Sequence, residues 1–190
     1  MTRLLPVIAA ILLCPSLVSA ATWLIDADRS RVRFKVSHPL STVEGEFHKF
    51  SGMLELHEKE ILRSKLSVII DTASVDTGTK ALDEELCSDN FLNVRRYPTM
   101  TFEAKKITQH GANKLKVTGD LNIRGVTRVV VLDAKRPSVP TRDQYGKMRC
   151  SASAATRISR KAFGLNWDSF LTRGLSDDID ISLDIEFIGK

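Results

Sequence analysis

Ile179-Asp180-Ile181-Ser182-Leu183-Asp184-Ile185-Glu186-Phe187 alternates hydrocarbon with charge or hydroxyl at every step. Successive side chains of a strand point to opposite faces, so this segment reads as a strand with one dry side and one wet side. The same period of two places Val32, Phe34 and Val36 opposite Arg31, Arg33 and Lys35. It also places Leu115, Val117, Gly119, Leu121 and Ile123 opposite Lys114, Lys116, Thr118, Asp120 and Asn122. Weaker examples occupy 43–57 around Gly45, Phe47, Leu54 and Leu56, then 64–71, 99–107 and 147–157, the last with Met148, Cys150, Ala152 and Ala154 on one face. Segment 127–135 is apolar on both faces and declares no orientation. With a short opening strand near Trp23, about eight strands emerge at the spacing of a barrel or sandwich.

Helix is scarce. Thr79 to Asn90 offers Thr79 as N-cap, early acids, and Leu82 with Leu86 at i,i+4, which suits one short amphipathic helix. A second irregular stretch, 160–173, holds Phe163, Gly164, Trp167 and Phe170, and 136–146 with Pro137 and Pro140 reads as a long exposed turn. The fold class is therefore all-β and antiparallel, an extended barrel with one or two short helices near its mouth. A sandwich satisfies the same alternation. What favours a hollow barrel is the size of the inward residues: Gly45, Gly119, Ala104, Ala152 and Ala154 stand where a packed core prefers Leu or Phe. Taper or bulges account for small residues equally well.

The first twenty residues have the layout of a secretory signal: Arg3, the apolar run Leu4 to Leu13, then Val18-Ser19-Ala20 before a cut at Ala21. Residues 21–190 then form one domain, since a chain of this length supports one sizeable core and not two. Cys14 follows bulky Leu13, which does not suit a lipid-attachment motif. The chain carries 28 Lys+Arg against 23 Asp+Glu, a net charge of +5, and only Arg3 of these lies in the leader. So small a surplus, unaccompanied by interleaved aromatics, describes a solvated surface and excludes nucleic acid as a partner. Charge on the second face also distinguishes the chain from a membrane barrel, whose outer face is hydrocarbon.

Two cysteines follow the leader, Cys87 and Cys150, in a compartment where a disulfide persists. A bridge and two separate buried thiols both remain open. Neither belongs to a Cys-x-x-Cys pair. His38, His48, His57 and His110 lack the spacing of a metal site, and no nucleophile elbow, phosphate loop or dinucleotide fingerprint occurs. The expectation is a protein without catalytic residues, metal or required cofactor.

Several phrases, taken in order, resemble the YceI-like family, the lipid-binding relatives of lipocalins in the bacterial periplasm. They are Trp23-Leu24-Ile25-Asp26; Ser30, Val32, Phe34, Val36 and His38; and Val43, Gly45, Phe47, Phe50 and Gly52. They continue through Leu86, Ser88 and Phe91 into Tyr97-Pro98 and Phe102, then Gly119, Leu121, Ile123 and Gly125-Val126-Thr127, then Arg160 and Phe163-Gly164-Leu165. The resemblance covers essentially all of 21–190. It implies a lipocalin-like barrel with a helical element near the mouth and a polyisoprenoid or similar long-chain lipid in its tunnel. The chain departs from the family pattern at Arg29, usually His, and in the helix at Leu82 and Glu85. Both departures fall near the expected mouth and bear on the head group, not on the apolar tunnel.

The expected lining includes Phe34, Val36, Phe47, Leu54, Phe102, Val117, Gly119, Leu121, Phe163, Leu183 and Ile185, each of which also suits plain core. His38 ends an inward row, where it reaches either a head group or a rim hydrogen bond. Arg160 either neutralises a phosphate or fixes its loop by pairing with a carboxylate. The leading expectation is a periplasmic carrier or scavenger of a long-chain lipid of polyisoprenoid or isoprenoid-quinone type. The alternatives are an enzyme or stress-response factor acting on such a lipid, and a structural barrel filled by its own side chains. Transient membrane contact and a homodimer remain open.

Overall fold

The computed structural model describes residues 20–38, 41–166 and 174–190, so the leader before Ala20, together with Trp167 and Phe170, lies outside the described residues. Twelve antiparallel strands follow the alternation read above. They are β1 (Ala21–Ile25), β2 (Arg31–His38), β3 (Ser41–Phe47), β4 (Phe50–Leu56), β5 (Lys65–Asp71), β6 (Val75–Asp76), β7 (Thr99–Gln109), β8 (Lys114–Ile123), β9 (Val126–Lys135), β10 (Thr141–Arg142), β11 (Met148–Ser159) and β12 (Asp178–Gly189). The hydrogen-bonded order β11-β9-β8-β7-β5-β4-β1-β12 returns to β11 through eleven register pairs, from Arg149 with Ile188 to Ser159 with Asp178. Eight strands thus close a ring, the expected barrel.

Of the four strands outside that ring, β10 edges β11 and the other three are continuations of its staves. β12 pairs with β1 at Ile25 and Phe187 and, further along the same edge, with β2 at Val32 and Leu183. β3 runs into β4, and β5 into β6, with matching pairings. Three neighbouring staves are therefore long strands, each broken once, at 26–30, 48–49 and 72–74. Hydroxyls stitch the breaks where ladder bonds cannot run. Ser30 Oγ donates to Asp26 O (2.7 Å) and accepts from Glu186 N (2.9 Å). Thr72 Oγ1 donates to Tyr97 O (2.7 Å), and Ser74 Oγ accepts from Lys49 N (3.0 Å). Ser30 and Thr72 are consequently among the few buried polar residues.

The outer wall carries cross-strand ion pairs: Arg33 with Asp184 (2.7 Å), Lys116 with Asp133 (3.0 Å), Arg157 with Asp180 (2.6 Å). Pairs so exposed contribute about 0–1 kcal/mol each, and they mark the wet face. On β9 the ambiguity resolves: Leu132 is buried and faces the lumen with Val130, while Val129 and Val131 face out, 70% and 41% exposed. No helix among the described residues is long and apolar enough to cross a membrane.

α1 (Lys80–Cys87) is shorter than 79–90, because Ser88 to Arg96 continues as a chain of turns. Thr79 is its N-cap residue but makes no capping bond with its side chain; Asp83 reaches back instead and accepts from Thr77 N (2.8 Å) and Thr77 Oγ1 (2.7 Å). The loop 136–146 contains the two-residue β10, paired with β11. Arg124 and Gly125 both have positive φ, as the tight β8–β9 turn requires, and Arg124 donates to Gly164 O (2.8 Å) and Asp89 O (2.9 Å), fastening two loops to the rim.

Candidate functional site: an apolar lumen

Inward side chains form three clusters stacked along the barrel. Trp23, Leu54, Leu56, Ile61, Cys150 and Phe187 pack at one end, Phe102, Val117 and Leu132 in the middle, and Leu86, Phe91, Met100, Ile158, Phe163 and Leu165 beneath α1. A cavity of about 240 Å³ runs among them, touching Leu54 and Phe187 at one end and Leu82, Leu86 and Phe91 at the other. Its exposed lining is hydrocarbon. An apolar hole of about 150 Å³ already stays dry and admits a small hydrocarbon, so a larger one with such walls favours an apolar guest over water.

Of the residues expected at the site, Phe34, Val36, Phe47, Leu54, Phe102, Val117, Leu121, Arg160, Leu183 and Ile185 line this cavity. His38, Gly119 and Phe163 do not. His38 lies at the end of β2 opposite Ser41, and Phe163 is 2% exposed, packed behind the lumen. Gly119 corrects a further expectation. Its missing side chain leaves no gap, because an added Cβ would fall 2.6 Å from the Phe102 ring, just as one at Gly45 would fall 2.5 Å from the Phe34 ring. Each ring reaches over its glycine with Cζ, so the glycines make room on the wall for aromatic bulk that also lines the lumen.

Arg160 is 3% exposed and is bound to carbonyls: Nη1 donates to Leu165 O (2.7 Å), Nε to Ser176 O (3.1 Å), Nη2 to Leu175 O (3.5 Å). Through these carbonyls it fixes its loop, the structural role. Asp177, whose carboxyl Ser159 and the Lys161 amide hold below its usual range, braces the same turn. The Cys87–Cys150 bridge left open above is not formed. Both are free thiols, Cys87 beside the cluster under α1 and Cys150 in the cluster at the opposite end.

Sequence reading missed the contribution of the ends. Leu82 and Leu86 of α1, Leu92 and Leu165 also line the cavity. The i,i+4 leucines were the available signal; the others sit in turns without periodicity. Among the described residues no group of three His, Cys, Asp or Glu is placed to hold a metal.

A closed antiparallel barrel around a hydrocarbon lumen is the architecture of the lipocalin-like barrels. A family profile described as the YceI-like domain matches residues 23–187. The chain belongs to the YceI-like family. It is 33% identical over 174 residues to a UPF0312 protein of Vibrio parahaemolyticus, covering 90% of this chain and 89% of that one. It superposes on the Campylobacter jejuni YCEI protein with a TM-score of 0.69 at 33% identity, over 79% of this chain and 86% of that one. A polyisoprenoid-binding domain from Saccharophagus degradans, implicated in plant cell wall breakdown, shares the fold at TM-score 0.65 and 16% identity, over 90% and 99% of the two chains.

Proposed function

We propose that this protein is exported to the periplasm through a leader cut before Ala21 and there sequesters a long-chain lipid of polyisoprenoid or isoprenoid-quinone type inside its barrel. The observation that carries the reading is the lumen itself, continuous from the Trp23 end to α1 and walled by hydrocarbon. Burying a chain there contributes about 0.8 kcal/mol per CH2, so several isoprene units supply tight binding without a charged contact. Immobilising the chain offsets part of that gain, and the site reads length and girth before functional groups. Family membership and the polyisoprenoid-binding relative support binding over catalysis.

Native mass spectrometry of protein purified without detergent, followed by lipid extraction, tests this directly. One long-chain lipid per chain is the expected result, and Ala154→Trp, which plugs the lumen from β11, should abolish it while leaving the fold intact. An empty wild-type barrel after incubation with polyprenol vesicles overturns the carrier reading. Conversion of the lipid during incubation overturns its non-catalytic half.

A further inference from the structure

The eight ring junctions are not equal. β8 and β9 share ten register pairs, β11 and β12 eleven, but β9 and β11 only two, Ala134 with Ala154 and Asp133 with Ala155. Beyond them the seam reconnects where Ser138 N donates to Ser151 O (2.8 Å) and Ser138 Oγ accepts from Ser151 N (2.9 Å). Between these two ties Lys135, Arg136 and Pro137 stand against Ala152 and Ser153, one residue too many. Pro137 has no N–H to offer, and the Arg136 amide turns away to Asn113 O (2.9 Å). The ladder is interrupted at this point.

A second hollow, about 280 Å³, lies on the outer face of the same interruption. Lys135, Ala152, Ser153 and Ile185 line both it and the lumen, so little more than the small Ala152 and Ser153 side chains separates hydrocarbon interior from exterior groove. The groove differs sharply from the lumen in chemistry. Arg29, Lys135 and Arg136 converge on it, all exposed, and among the described residues none of the three is ion-paired. Its carboxylates are Asp184, already taken by Arg33 at 2.7 Å, and Glu186. Elsewhere on the wall, by contrast, cations are commonly matched across strands.

We infer that this groove is the head-group subsite, and that it takes a phosphate monoester at the end of the sequestered chain, which passes through the interrupted β9–β11 seam. The inference rests on the carrier reading and deepens it. Arg160 is unsuited to the task, since its guanidinium is committed to loop carbonyls, whereas Arg29, Lys135 and Arg136 can address a dianion without first breaking an ion pair. Arg29 thereby acquires a role at a position where the family pattern has another residue.

The test compares equilibrium binding of a polyprenyl monophosphate, the polyprenol of equal length, and inorganic phosphate alone to the full chain at low ionic strength. The phosphate-headed chain should bind about tenfold more tightly than the alcohol, and added salt should shrink the difference. The double substitution Arg29→Ala, Arg136→Ala, at two residues that do not line the lumen, should erase most of that preference without weakening the alcohol. Arg29→Glu alone should reverse part of it, and circular dichroism of both variants checks their fold. Equal binding of phosphate and alcohol by the wild type overturns the head-group subsite and leaves the carrier standing; failure to bind either chain overturns both. Inorganic phosphate that competes as well as the lipid phosphate, mole for mole, overturns the lipid assignment in favour of a free-anion site.

Discussion

The ring of Phe34 lies on the backbone of Gly45, its direct cross-strand partner, so closely that a Cβ added to Gly45 would stand 2.5 Å from Cζ. Asp76 O lies 2.9 Å from the same point, so the added carbon has backbone on its other side. Gly45→Ala must therefore push the ring toward the lumen or part β3 from β6. Overpacking of this kind costs about 1–3 kcal/mol. Urea unfolding should show the loss, and the Phe34→Leu, Gly45→Ala pair should recover much of it; an unchanged Gly45→Ala midpoint would show that the wall yields there.

Ser30→Ala removes one hydroxyl in a site 2% exposed, leaving Glu186 N unpaired and Asp26 O with only its bond from Arg29 N (3.2 Å). A buried unpaired amide costs about 1–3 kcal/mol, and a destabilisation of that size is expected. Ser30→Thr, which keeps the hydroxyl, should cost less. Equal thermal midpoints for the alanine and threonine variants would refute the stitching role.

Beside the same break Arg149 is held between Asp143 (2.7 Å) and Asp26 (2.6 Å), tying the β10–β11 hairpin to it. The hydrogen bond from Arg149, with amide donors from Lys147 and Tyr145, keeps the Asp143 carboxyl below its usual range. A folded pKa depressed in this way contributes stability above the unfolded carboxylate pKa, and that stability is lost as pH falls through the lowered folded value. Asp143→Asn should hence be less stable than wild type at neutral pH, with the two curves converging below the ordinary carboxylate range. Parallel curves down to strong acid would show that Asp143 titrates unaided.

Burial pushes the Cys150 thiol up to about 11, and at 2% exposure no reagent reaches it. The Cys87 thiol is raised as well, by burial first and by Asp83 and Asp71 after it. In native protein at mildly alkaline pH, titration with a water-soluble aromatic disulfide should leave Cys150 unmodified until denaturant is added, with Cys87 slower than a free thiol. Rapid native labelling of Cys150 would mean that the Trp23 end of the barrel opens.

The strands and their facing were legible because alternation survives burial on one side only: Ile179 to Phe187 shows it without exception, and β12 is the strand on which the ring closes. On β9 it failed. Val129 and Val131 are apolar yet face outward, and periodicity cannot orient a strand whose two faces look alike. The glycines were legible as small but not as occupied, since what fills Gly45 and Gly119 is a ring on the neighbouring strand, Phe34 and Phe102. Cys87 and Cys150 show the same limit, their count being even and their places at opposite ends of the molecule. Arg160 was legible as a residue of interest; that main-chain oxygens are among its partners leaves no trace in residue types.

Three adjacent staves are interrupted at one level, and hydroxyls span the crease. A ladder bond is fixed by two chains at once, whereas a serine or threonine oxygen swivels about a single torsion and keeps its partner through a small tilt. The wall can consequently fold along that line without losing its bonds. A tilt there would be taken up by hydroxyl torsions, with the side chains beneath left in their rotamers.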